Sequence, residues 1–593
     1  MIEKKWFVSI SVTLIFCLCI SSIVFDYKSK KTNVVLIIAD DQGWGDLSTN
    51  GNPWVKTPNI DLLAANGARF DRFYVSPVCS PTRAELLTGR YHVRSGVWET
   101  SAGAERMDLD ETTIAEVLKK NGYRTAAFGK WHNGMQYPYH PLGRGFMEFY
   151  GFCSGHWGNY FSPLLEHNGK IIKGNGFLPD DLTNKAIEYI KKNKDKPFFV
   201  YLPYNTPHSP MQVPHLWWDK YKECNLDTLQ PYSRREIPDH TRAAYALTEN
   251  IDWNVGRLLN TLSKNKLEEN TIVIYMTDNG PNGHRWNGKM KGIKGSVDEG
   301  GIRSPLLIQW KNHIKNGISI QPIASAMDIF PTLIDLLEIK FESEKAIDGK
   351  SLKPLLLHRN SALWPDRHII SYWKNKTSVR SQKYRLDGEN KLFDMYADPS
   401  QTKDIAGDMP SVFQEMITAK KKWEQEILFE LPAKDLRPFI LCHPAFPYNQ
   451  LPARDAHSHG GIERSNRFPN SSYYKNWKSI HDSLTWDVEV LESGMYEAIL
   501  YYTCSKQNTG STIQLSLGNS KIESKVERAH DSEYLNVDKD RYLRQESYEK
   551  DFIPMSMGKI HLAKGKGLLR LKALSIPNRE VMEFRMLLLN KIV

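Results

Sequence analysis

The chain has 593 residues, of which 41% are hydrophobic and 25% are charged, a composition typical of a globular protein with two or more domains. Its formal net charge of +10 favours an anionic partner, although the charge is spread thinly over this length. The sequence contains no zinc-finger, helix-turn-helix or aromatic stacking pattern, which argues against nucleic acid as that partner.

The N-terminal segment, residues 1–31, predicts an export signal. Lys4 and Lys5 precede an uncharged stretch at 7–25, and charged residues return at Asp26. The stretch is nearly long enough to span a bilayer, so an uncleaved N-terminal anchor is the alternative. We therefore expect an exported protein, periplasmic or secreted, that is membrane-anchored only if this segment is retained.

The cysteines predict no disulfide framework. Two of the seven lie in the predicted signal, and the five that follow are odd in number and irregularly spaced. A single disulfide bridge among these cysteines is the alternative that stays open. The five are Cys79, Cys153, Cys224, Cys442 and Cys504.

Between residues 32 and 345, short apolar runs alternate with amphipathic stretches of helical period. This alternation predicts an α/β fold, in which helices cover both faces of a mostly parallel sheet. The predicted strands are 34–39, 124–128, 198–202 and 271–277, and the predicted helices are 60–65, 113–120, 181–192 and 242–262.

Polar side chains follow each of the four predicted strands. For any one segment, a polar surface loop is the simpler explanation. Ligands of open parallel sheets bind at the carboxyl ends of the strands, however, and four segments here deliver acids, amides and bases to that one edge. The sequence therefore predicts a functional site there, built from Asp40, Asp41, Lys130, His132, His208, Asp278 and Asn279.

The rest of the chain predicts two further units. Residues 346–430 contain two strand-like runs, a turn at 396–400 and a helix that starts at Ser411, which indicates a small α+β subdomain. Residues 431–593 begin as coil and continue as short β-type runs, which predict an appended β-sandwich. Those runs are 486–491, 496–503, 512–517, 568–574 and 582–589.

The segment 76–91 reads SPVCSPTRAELLTGRY and predicts a short helix. Ser80 suits the N-cap position, and Gly89 suits the helix end. Cys79 would then lie at a helix N-terminus, which favours negative charge, and Arg83 adds a cation one turn further on. Taken alone, a cysteine in this position is more often a small buried residue than a nucleophile.

The pattern CxPxR followed by LTGR in this segment resembles the signature of the type I sulfatases of the alkaline phosphatase superfamily. In that family the cysteine is oxidised to Cα-formylglycine. Further blocks occur in family order, together spanning about 270 residues: ADDQGWGDL at 39–47, GKWHNG at 129–134, TPHSP at 206–210, TDNG at 277–280 and KGIKGSVDEGGIRSP at 291–305. The resemblance implies an alkaline-phosphatase-like fold, sulfate ester hydrolysis and a formylglycine-generating maturation enzyme as a partner.

The expected metal is one calcium ion. Asp40, Asp41, Asp278 and Asn279 offer only oxygen ligands, which a hard cation prefers. Two adjacent carboxylates at the end of a buried strand would also repel each other without a cation. The resemblance points to calcium, with magnesium as the alternative, and adds position 79 to the ligand set.

The resemblance also implies how the reaction begins. The aldehyde at position 79 is hydrated to a geminal diol, and one hydroxyl attacks sulfur to give a covalent sulfated intermediate. Asp278 would act as the base for that attack. The metal, Arg83 and Lys130 would hold the sulfate oxygens and oppose their charge in the transition state.

The same resemblance implies how the reaction ends. His208 and Lys294 would protonate or stabilise the leaving sugar oxygen, and His132 would take the proton from the second hydroxyl, expelling sulfate. The division of roles between His208 and Lys294 stays open. Lys294 is preferred to Lys291 because the family's lysine precedes glycine and a small hydroxyl residue.

Loops near the predicted edge suit a sugar ring, although the same side chains suit core packing. The stretches EHNGK at 166–170 and NTPHSPMQVP at 205–214 resemble those of sulfatases from marine and gut bacteria that degrade sulfated polysaccharides. The resemblance implies ulvan, carrageenan, fucoidan or glycosaminoglycan fragments as candidate substrates. The β region resembles galactose-binding-like sandwiches, but a purely structural domain is an equal alternative. The loop residues are His156, Trp157, Tyr160, His284, Arg285 and Trp286.

Two other functions compete with this prediction. A phosphate or phosphonate monoester hydrolase of the same superfamily would share the metal site, but it would not need the complete CSPTR and LTGR pattern. A catalytically inactive carbohydrate-binding protein would be expected to lack Cys79 or a metal ligand, and the sequence retains them.

Overall fold

The computed structural model describes residues 30–226, 235–358, 364–432 and 434–592. Nearly all of the predicted export segment lies outside these residues. Within them, no helix combines the length and the apolar character needed to cross a membrane. The five cysteines after the predicted signal are free thiols, so the prediction of no disulfide framework is confirmed.

A mixed 11-stranded sheet forms the centre of the main domain. Its order is β10-β2-β9-β8-β1-β7-β3-β4-β5-β6, with β11 paired to β2. In chain order the strands are β1 (Asn33–Asp40), β2 (Ala68–Tyr74), β3 (Arg124–Lys130), β4 (Glu148–Phe152), β5 (Leu164–His167), β6 (Lys170–Lys173), β7 (Phe198–Pro207), β8 (Thr271–Thr277), β9 (Arg303–Gln309), β10 (Ile318–Ile320) and β11 (Ala324–Ser325).

The four predicted strands are β1, β3, β7 and β8. They are neighbours in the sheet, in the order β8-β1-β7-β3, and each adjacent pair is parallel. The predicted parallel centre is therefore confirmed. Antiparallel pairing is confined to strands outside this group and to the contact of β9 with β8, which makes the whole sheet mixed.

Both faces of the sheet are covered, as β1 shows most clearly. All eight of its residues are buried, because alternate side chains of a strand point to opposite faces and each face packs against helices. Val34, Leu36 and Ile38 belong to one hydrophobic core. Val35, Ile37 and Ala39 belong to the other.

The four predicted helices are present, with ends that shift by a few residues. Thr113 caps α3 through a capping box, in which its Oγ1 accepts from the Glu116 backbone N–H at 3.2 Å. The helices of the main domain are α1 (Pro58–Ala65), α2 (Cys79–Thr88), α3 (Ile114–Lys120), α4 (Leu178–Lys192), α5 (His215–Trp218), α6 (Pro238–Lys264), α7 (Glu299–Ile302) and α8 (Ile329–Leu336).

A second, smaller sheet follows, and its four antiparallel strands pack against a long helix. The first two strands form a hairpin whose turn residues, Lys374 and Asn375, have positive φ. This arrangement matches the predicted α+β character. The elements are β12 (Ile369–Trp373), β13 (Lys376–Arg380), β14 (Tyr384–Leu386), β15 (Leu392–Asp394) and α9 (Pro410–Ile427).

The C-terminal region is a sandwich of two six-stranded sheets around one core. Seven of its twelve strands, β16–β20, β24 and β25, were not predicted, and the prediction of coil at 431–472 was wrong where β16–β19 form. The strands β16–β20 are only two to five residues long, and charged and polar residues interrupt the apolar positions of β24 and β25. The strands are β16 (Phe439–Leu441), β17 (Tyr448–Pro452), β18 (His457–His459), β19 (Glu463–Arg464), β20 (Tyr474–Lys475), β21 (Ser483–Val490), β22 (Gly494–Thr503), β23 (Thr512–Leu517), β24 (Ser520–Lys525), β25 (Ile553–Leu562), β26 (Gly565–Ser575) and β27 (Glu583–Lys591). The domain boundaries at 345 and 430 stay predictions.

The sandwich is joined to the main domain by buried polar contacts. Arg454 of the sandwich lies 2.8 Å from Glu105 of the main domain, and both side chains are almost fully buried. Gln136 donates to the Gln450 carbonyl at 2.9 Å, and Gln450 donates to Glu166 at 2.7 Å. Because breaking such buried pairs would leave charges without partners, the two regions are held in a defined orientation.

Candidate active site

The parallel centre of the sheet brings the predicted site residues to one edge. Asp40 and Lys130 are the last residues of β1 and β3. Asp278 and Asn279 directly follow β8, and His208 directly follows β7. The strand ends therefore place side chains from four separated parts of the chain around one point, as predicted.

The three aspartates form a buried cluster. Oxygens of Asp40 and Asp278 lie with the Cys79 Sγ within 4.8 Å of one another, and Asp40, Asp41 and His208 form a second such group. Asn279 Nδ2 donates to Asp41 at 2.8 Å, whereas its Oδ1 is buried and has no hydrogen-bond partner among the described residues. The cluster therefore offers several carboxylate oxygens and one free amide oxygen, a donor set that fits a hard cation.

Each aspartate of the cluster is also paired with a cationic side chain. The closest distances are 2.8 Å from Lys130 to Asp40, 2.6 Å from Arg83 to Asp278 and 2.6 Å from Lys294 to Asp41. Burial alone would raise the pKa of Asp41, but His208 and Lys294 hold it well below its ordinary value. Cys79 is therefore surrounded by buried side chains of opposite charge that hold one another in fixed positions.

Two site residues have backbone conformations that are rare outside glycine. Asp41 has a φ of 65° and His132 a φ of 66°. Left-handed backbone at non-glycine residues is strained and is often found at functional sites. The strain is consistent with a role for both residues that requires these side-chain directions.

The prediction for the start of helix α2 was wrong in detail. The helix begins at Cys79, and the extended residue Val78 takes the N-cap position. Ser80 lies inside the first turn, where its hydroxyl donates to the His132 carbonyl at 2.8 Å and ties the helix to the loop of that histidine. Gly89 ends the helix with a φ of 72°, as predicted.

Cys79 is a buried thiol. Burial raises its pKa, and Lys130 and Lys294 oppose that effect only in part. A thiol with a raised pKa is a poor nucleophile, because the thiolate is the reactive form. The unmodified side chain is therefore badly suited to attack, although its position is central.

Glu85 on the same helix gives a prediction for stability. Burial raises its pKa from 4.5 to about 8, with hydrogen bonds from His92 and Ser76 opposing. The folded protein then favours the protonated form, so this contribution to stability is complete below pH 4.5 and is lost as the pH rises toward 8. Between pH 5 and pH 8, we expect wild type to lose about 3 kcal/mol of unfolding free energy relative to Glu85→Gln. Denaturant unfolding at both pH values tests this, and parallel pH profiles would contradict it.

A cavity of about 350 Å³ opens over Cys79. His132, His208 and Lys294 line it on the side of the main domain. Asp40, Asp41, Arg83, Lys130, Asp278 and Asn279 lie beneath it and are fully buried. Lys291, in contrast, lies within 4 Å of Asp298 and Asp387 and does not line this cavity, which agrees with the choice of Lys294.

Of the two alternatives that the sequence left open for the rim loops, core packing applies to most of the side chains. Of the six residues, His156 lines the cavity, and its ring centroid lies 5.6 Å from that of His208. Tyr160 is buried beneath and donates to the His208 carbonyl at 2.8 Å. The other four do not line the cavity: Trp157 stacks on Phe152, Trp286 stacks on Trp44, Arg285 pairs with Asp46 at 2.6 Å, and His284 is half-buried.

Sequence reasoning missed the remaining walls of the cavity. One wall is the hairpin of the small sheet, and the other comes from the C-terminal region. No motif or periodicity marks these segments, because all of them except Trp373, the last residue of β12, are coil and turn positions that only tertiary packing brings to the site. The residues are Trp373, Lys374, Phe468, Pro469, Asn470, Tyr542, Leu543, Arg544, Gln545 and Glu546.

A second buried cluster, His140, Cys153 and Glu166, has the spacing of metal ligands, but its histidine is paired with its glutamate. The Leu142 backbone N–H donates to His140 Nδ1 at 3.2 Å, so the ring proton of the neutral imidazole lies on Nε2. Nε2 faces a Glu166 oxygen at 2.7 Å. That nitrogen is therefore occupied by a proton rather than free to bind a metal.

The fold and the site define a hydrolase of the alkaline-phosphatase-like superfamily. The family model described as sulfatase matches residues 32–339, more than half of the chain, and the model for the C-terminal part of N-sulphoglucosamine sulphohydrolase matches residues 293–427. The chain therefore belongs to the sulfatase family and is a sulfuric ester hydrolase.

Relatives and solved structures agree with this assignment. The chain is 33% identical to N-acetylgalactosamine-6-sulfatase of Mus musculus over 380 residues, which cover 58% of this chain and 69% of the relative. It is 31% identical to the uncharacterized sulfatase YdeN of Escherichia coli, over 62% of this chain and 72% of the relative. The crystal structure of Ps i-CgsB in complex with k-i-k-neocarrahexaose is 30% identical, with a TM-score of 0.61, and the match covers 67% of this chain and 94% of that one.

Proposed function

We propose that this sulfatase hydrolyses sulfate esters of sulfated carbohydrate, with Cys79 converted to formylglycine and calcium bound at the aspartate cluster. One observation carries the proposal: Cys79 lies against Asp40 and Asp278 at the base of an open cavity, surrounded by buried cations. The formyl group, when present, supplies as its hydrate the oxygen nucleophile that a buried thiol does not provide.

The ligands for calcium would be Asp40, Asp41, Asp278, Asn279 and the modified side chain at position 79. The free Oδ1 of Asn279 and the carboxylates around it support this assignment. The ion would supply Lewis-acid stabilisation of the sulfate oxygens. Oxygen ligands in a buried site suit calcium better than a softer metal.

Arg83 and Lys130 are placed to bind the transferred sulfate. Their side chains are fully buried and lie within 4 Å of Asp40, directly beneath the cavity. Cations fixed in a site that excludes water oppose developing negative charge without reorganisation. Asp278, which Arg83 contacts at 2.6 Å, is the proposed base for the attack on sulfur.

His132 has the tautomer of a proton acceptor, although burial and the charge of Lys130 lower its pKa. Its Nε2 lies 2.8 Å from the Thr100 carbonyl, which can only accept, so Nε2 carries the hydrogen. Its Nδ1 has no hydrogen-bond partner among the described residues and is therefore the basic nitrogen. This tautomer supports the role of a base that releases sulfate in the second half of the reaction.

Lys294 is better placed than His208 to assist the leaving oxygen. His208 Nδ1 donates to the Ser209 carbonyl at 2.6 Å, so a neutral His208 has no proton on Nε2, which lies 3.5 Å from Asp41. Lys294 keeps its charge, because Asp41 and Cys79 raise its pKa against the opposing effect of burial. We therefore propose Lys294 as the group that stabilises the leaving sugar oxygen, with His208 contributing when it is protonated.

Sulfated carbohydrate is the substrate class that the comparisons support. One relative is an N-acetylgalactosamine-6-sulfatase, and one similar structure holds k-i-k-neocarrahexaose, a carrageenan oligosaccharide. A cavity of about 350 Å³ suits one or two sugar rings. The proposal includes export through the segment 1–31, by signal or anchor, because polymeric substrates lie outside the cell. It also includes maturation at CSPTR by a formylglycine-generating enzyme.

The proposal is tested with protein from a host that contains a maturing enzyme. We expect sulfate release from members of a panel of sulfated oligosaccharides, loss of activity with a calcium chelator, and recovery with added calcium. Phosphate monoesters serve as the control and should react at least about 100-fold more slowly. A preference for phosphate would instead identify a phosphate or phosphonate monoester hydrolase, and turnover of neither class would indicate a binding protein.

A further inference from the structure

The C-terminal region contributes a segment, residues 536–547, that lies directly on the loop that follows His208. The Arg541 backbone N–H donates to the Met211 carbonyl at 2.9 Å, and the Val213 N–H donates to the Lys539 carbonyl at 3.2 Å. Gln212 Nε2 donates to the Asn536 carbonyl at 3.0 Å. The segment is thus docked by backbone hydrogen bonds onto the part of the chain that carries a predicted catalytic residue.

Arg544 fixes this segment in place. It is buried, and its guanidinium contacts both carboxylate oxygens of Asp540 at 2.7 and 2.8 Å. Its Nη1 also donates to the Gly158 carbonyl of the main domain at 2.7 Å. Since all these contacts are short and shielded from water, the wall that the segment forms is rigid enough to orient a ligand.

Glu546 is the acid that this segment brings into the cavity. The Ser209 hydroxyl donates to Glu546 Oε1, and Asn282 Nδ2 lies 3.4 Å from the same hydroxyl. Glu546, Ser209 and Asn282 line the cavity together with His208 and Lys294. Ser209 directly follows His208, so the carboxylate lies in the same cavity as His208 and Lys294, the residues proposed to assist the leaving oxygen.

The second carboxylate oxygen of Glu546 has no partner. Oε2 is shielded from solvent and accepts no hydrogen bond from the described residues. A desolvated carboxylate oxygen without a donor is costly. Glu546 as a whole is partly exposed and lines the cavity, so a rotation of its carboxylate would bring this oxygen to a bound hydroxyl group and remove that cost. Carboxylates accept hydrogen bonds from neutral hydroxyls, whereas they repel sulfate and other anions at short range.

We propose that Glu546 determines substrate specificity by accepting hydrogen bonds from hydroxyl groups of the sugar that bears the cleaved sulfate. The inference rests on the proposed function and extends it, because it makes the C-terminal region part of the substrate-binding site rather than an appended module. Neither of the two matched family models extends past residue 427, so this wall lies outside the part of the chain that they cover.

The test compares Glu546→Gln with wild type on two substrates. One is the sulfated monosaccharide that wild type hydrolyses fastest, and the other is p-nitrophenyl sulfate, which has no sugar hydroxyl. We expect the ratio of kcat/KM for the sugar to kcat/KM for the aryl ester to fall at least about 10-fold, because a charge-assisted hydrogen bond is lost. A ratio within about twofold of wild type would overturn the proposal.

Asp538→Asn is the matched control. Asp538 lies on the same segment but is exposed, pairs with Lys539 and does not line the cavity. For Asp538→Asn, the ratio of kcat/KM for the sugar to kcat/KM for the aryl ester should stay within about twofold of wild type, since the lost charge faces solvent. An equal fall in both variants would also overturn the proposal, because it would show a general effect of the segment.

Glu546→Asp keeps the test decisive if the glutamine variant does not fold. It retains the charge, but its side chain is shorter by one methylene. We expect the ratio of kcat/KM for the sugar to kcat/KM for the aryl ester to fall about 3-fold or more. An unchanged ratio would overturn the proposal. If wild type releases sulfate from neither substrate, the proposed function itself fails, and that outcome is distinguishable because it appears before any variant is compared.

Discussion

Replacement of Cys79 by alanine is expected to abolish sulfate release, with a fall in kcat/KM of about 10,000-fold or more. The change removes the side chain that lies against Asp40 and Asp278, and with it the proposed nucleophile. The surrounding cations would still bind sulfate, so binding of inorganic sulfate should persist while turnover disappears. Steady-state kinetics on the best substrate of the panel measures the effect.

Cys224→Ala is the control for that experiment. Cys224 is also a free thiol, but it is only partly buried and does not line the cavity. Its removal should leave kcat/KM within about twofold of wild type, as for most changes outside special sites. If Cys79→Ala keeps more than about 1% of wild-type activity, the covalent role of position 79 is excluded.

Asp278→Asn is the change with the second largest expected effect, because it removes a proposed metal ligand and the closest partner of a buried arginine together. Arg83 lies 2.6 Å from Asp278, and neither side chain has any solvent exposure. The variant leaves Arg83 with Asp40, at 3.8 Å, as its remaining carboxylate, and loss of the closer partner should cost about 3 kcal/mol of unfolding free energy. Loss of the ligand and of the proposed base should lower kcat/KM about 1,000-fold or more, beyond rescue by added calcium.

Glu299→Gln separates these two effects. Glu299 lies 2.7 Å from Arg385, and this pair is also buried but lies outside the cavity. The variant should lose a similar amount of stability while keeping activity within about 10-fold of wild type. Denaturant unfolding and kcat/KM are measured on both proteins. Equal losses of activity would mean that Asp278 acts through stability alone.

The fold of the main domain and the position of the aspartate cluster could be predicted because their physical causes are local. The run 34–39 is apolar at every position and is fully buried, which a strand covered on both faces explains. Once β1, β3, β7 and β8 are predicted as parallel, the polar residues at their ends must meet. The positions of Asp40, Lys130 and Asp278 therefore follow from pattern and topology together.

The roles of the loop residues could not be predicted, because one side-chain type serves two purposes. Arg285 looks like a substrate ligand in the sequence, but its partner Asp46 lies 239 positions earlier, and their contact becomes visible only in the folded chain. Ser80 has the chemistry of an N-cap, yet its hydroxyl instead binds the His132 carbonyl. In both cases a tertiary partner outweighs the local preference.

The contribution of the C-terminal region had no signal in the sequence. Asn470 and Glu546 lie in coil, and neither is part of a motif. They reach the cavity because buried pairs such as Arg454 with Glu105 fix the sandwich against the main domain. Contacts of this kind join residues that are hundreds of positions apart, so strand and helix patterns carry no information about them.

The most direct test of the whole account is the mass of the peptide that contains Cys79, measured in protein from a host with a formylglycine-generating enzyme. We expect a mass about 18 Da below that of the unmodified peptide, because conversion of the thiol to the aldehyde replaces sulfur and two hydrogens by one oxygen. Among preparations that differ in the fraction of protein modified at Cys79, the specific rate of sulfate release should rise in proportion to that fraction. An unmodified Cys79 in protein that nevertheless releases sulfate at full rate would contradict the account.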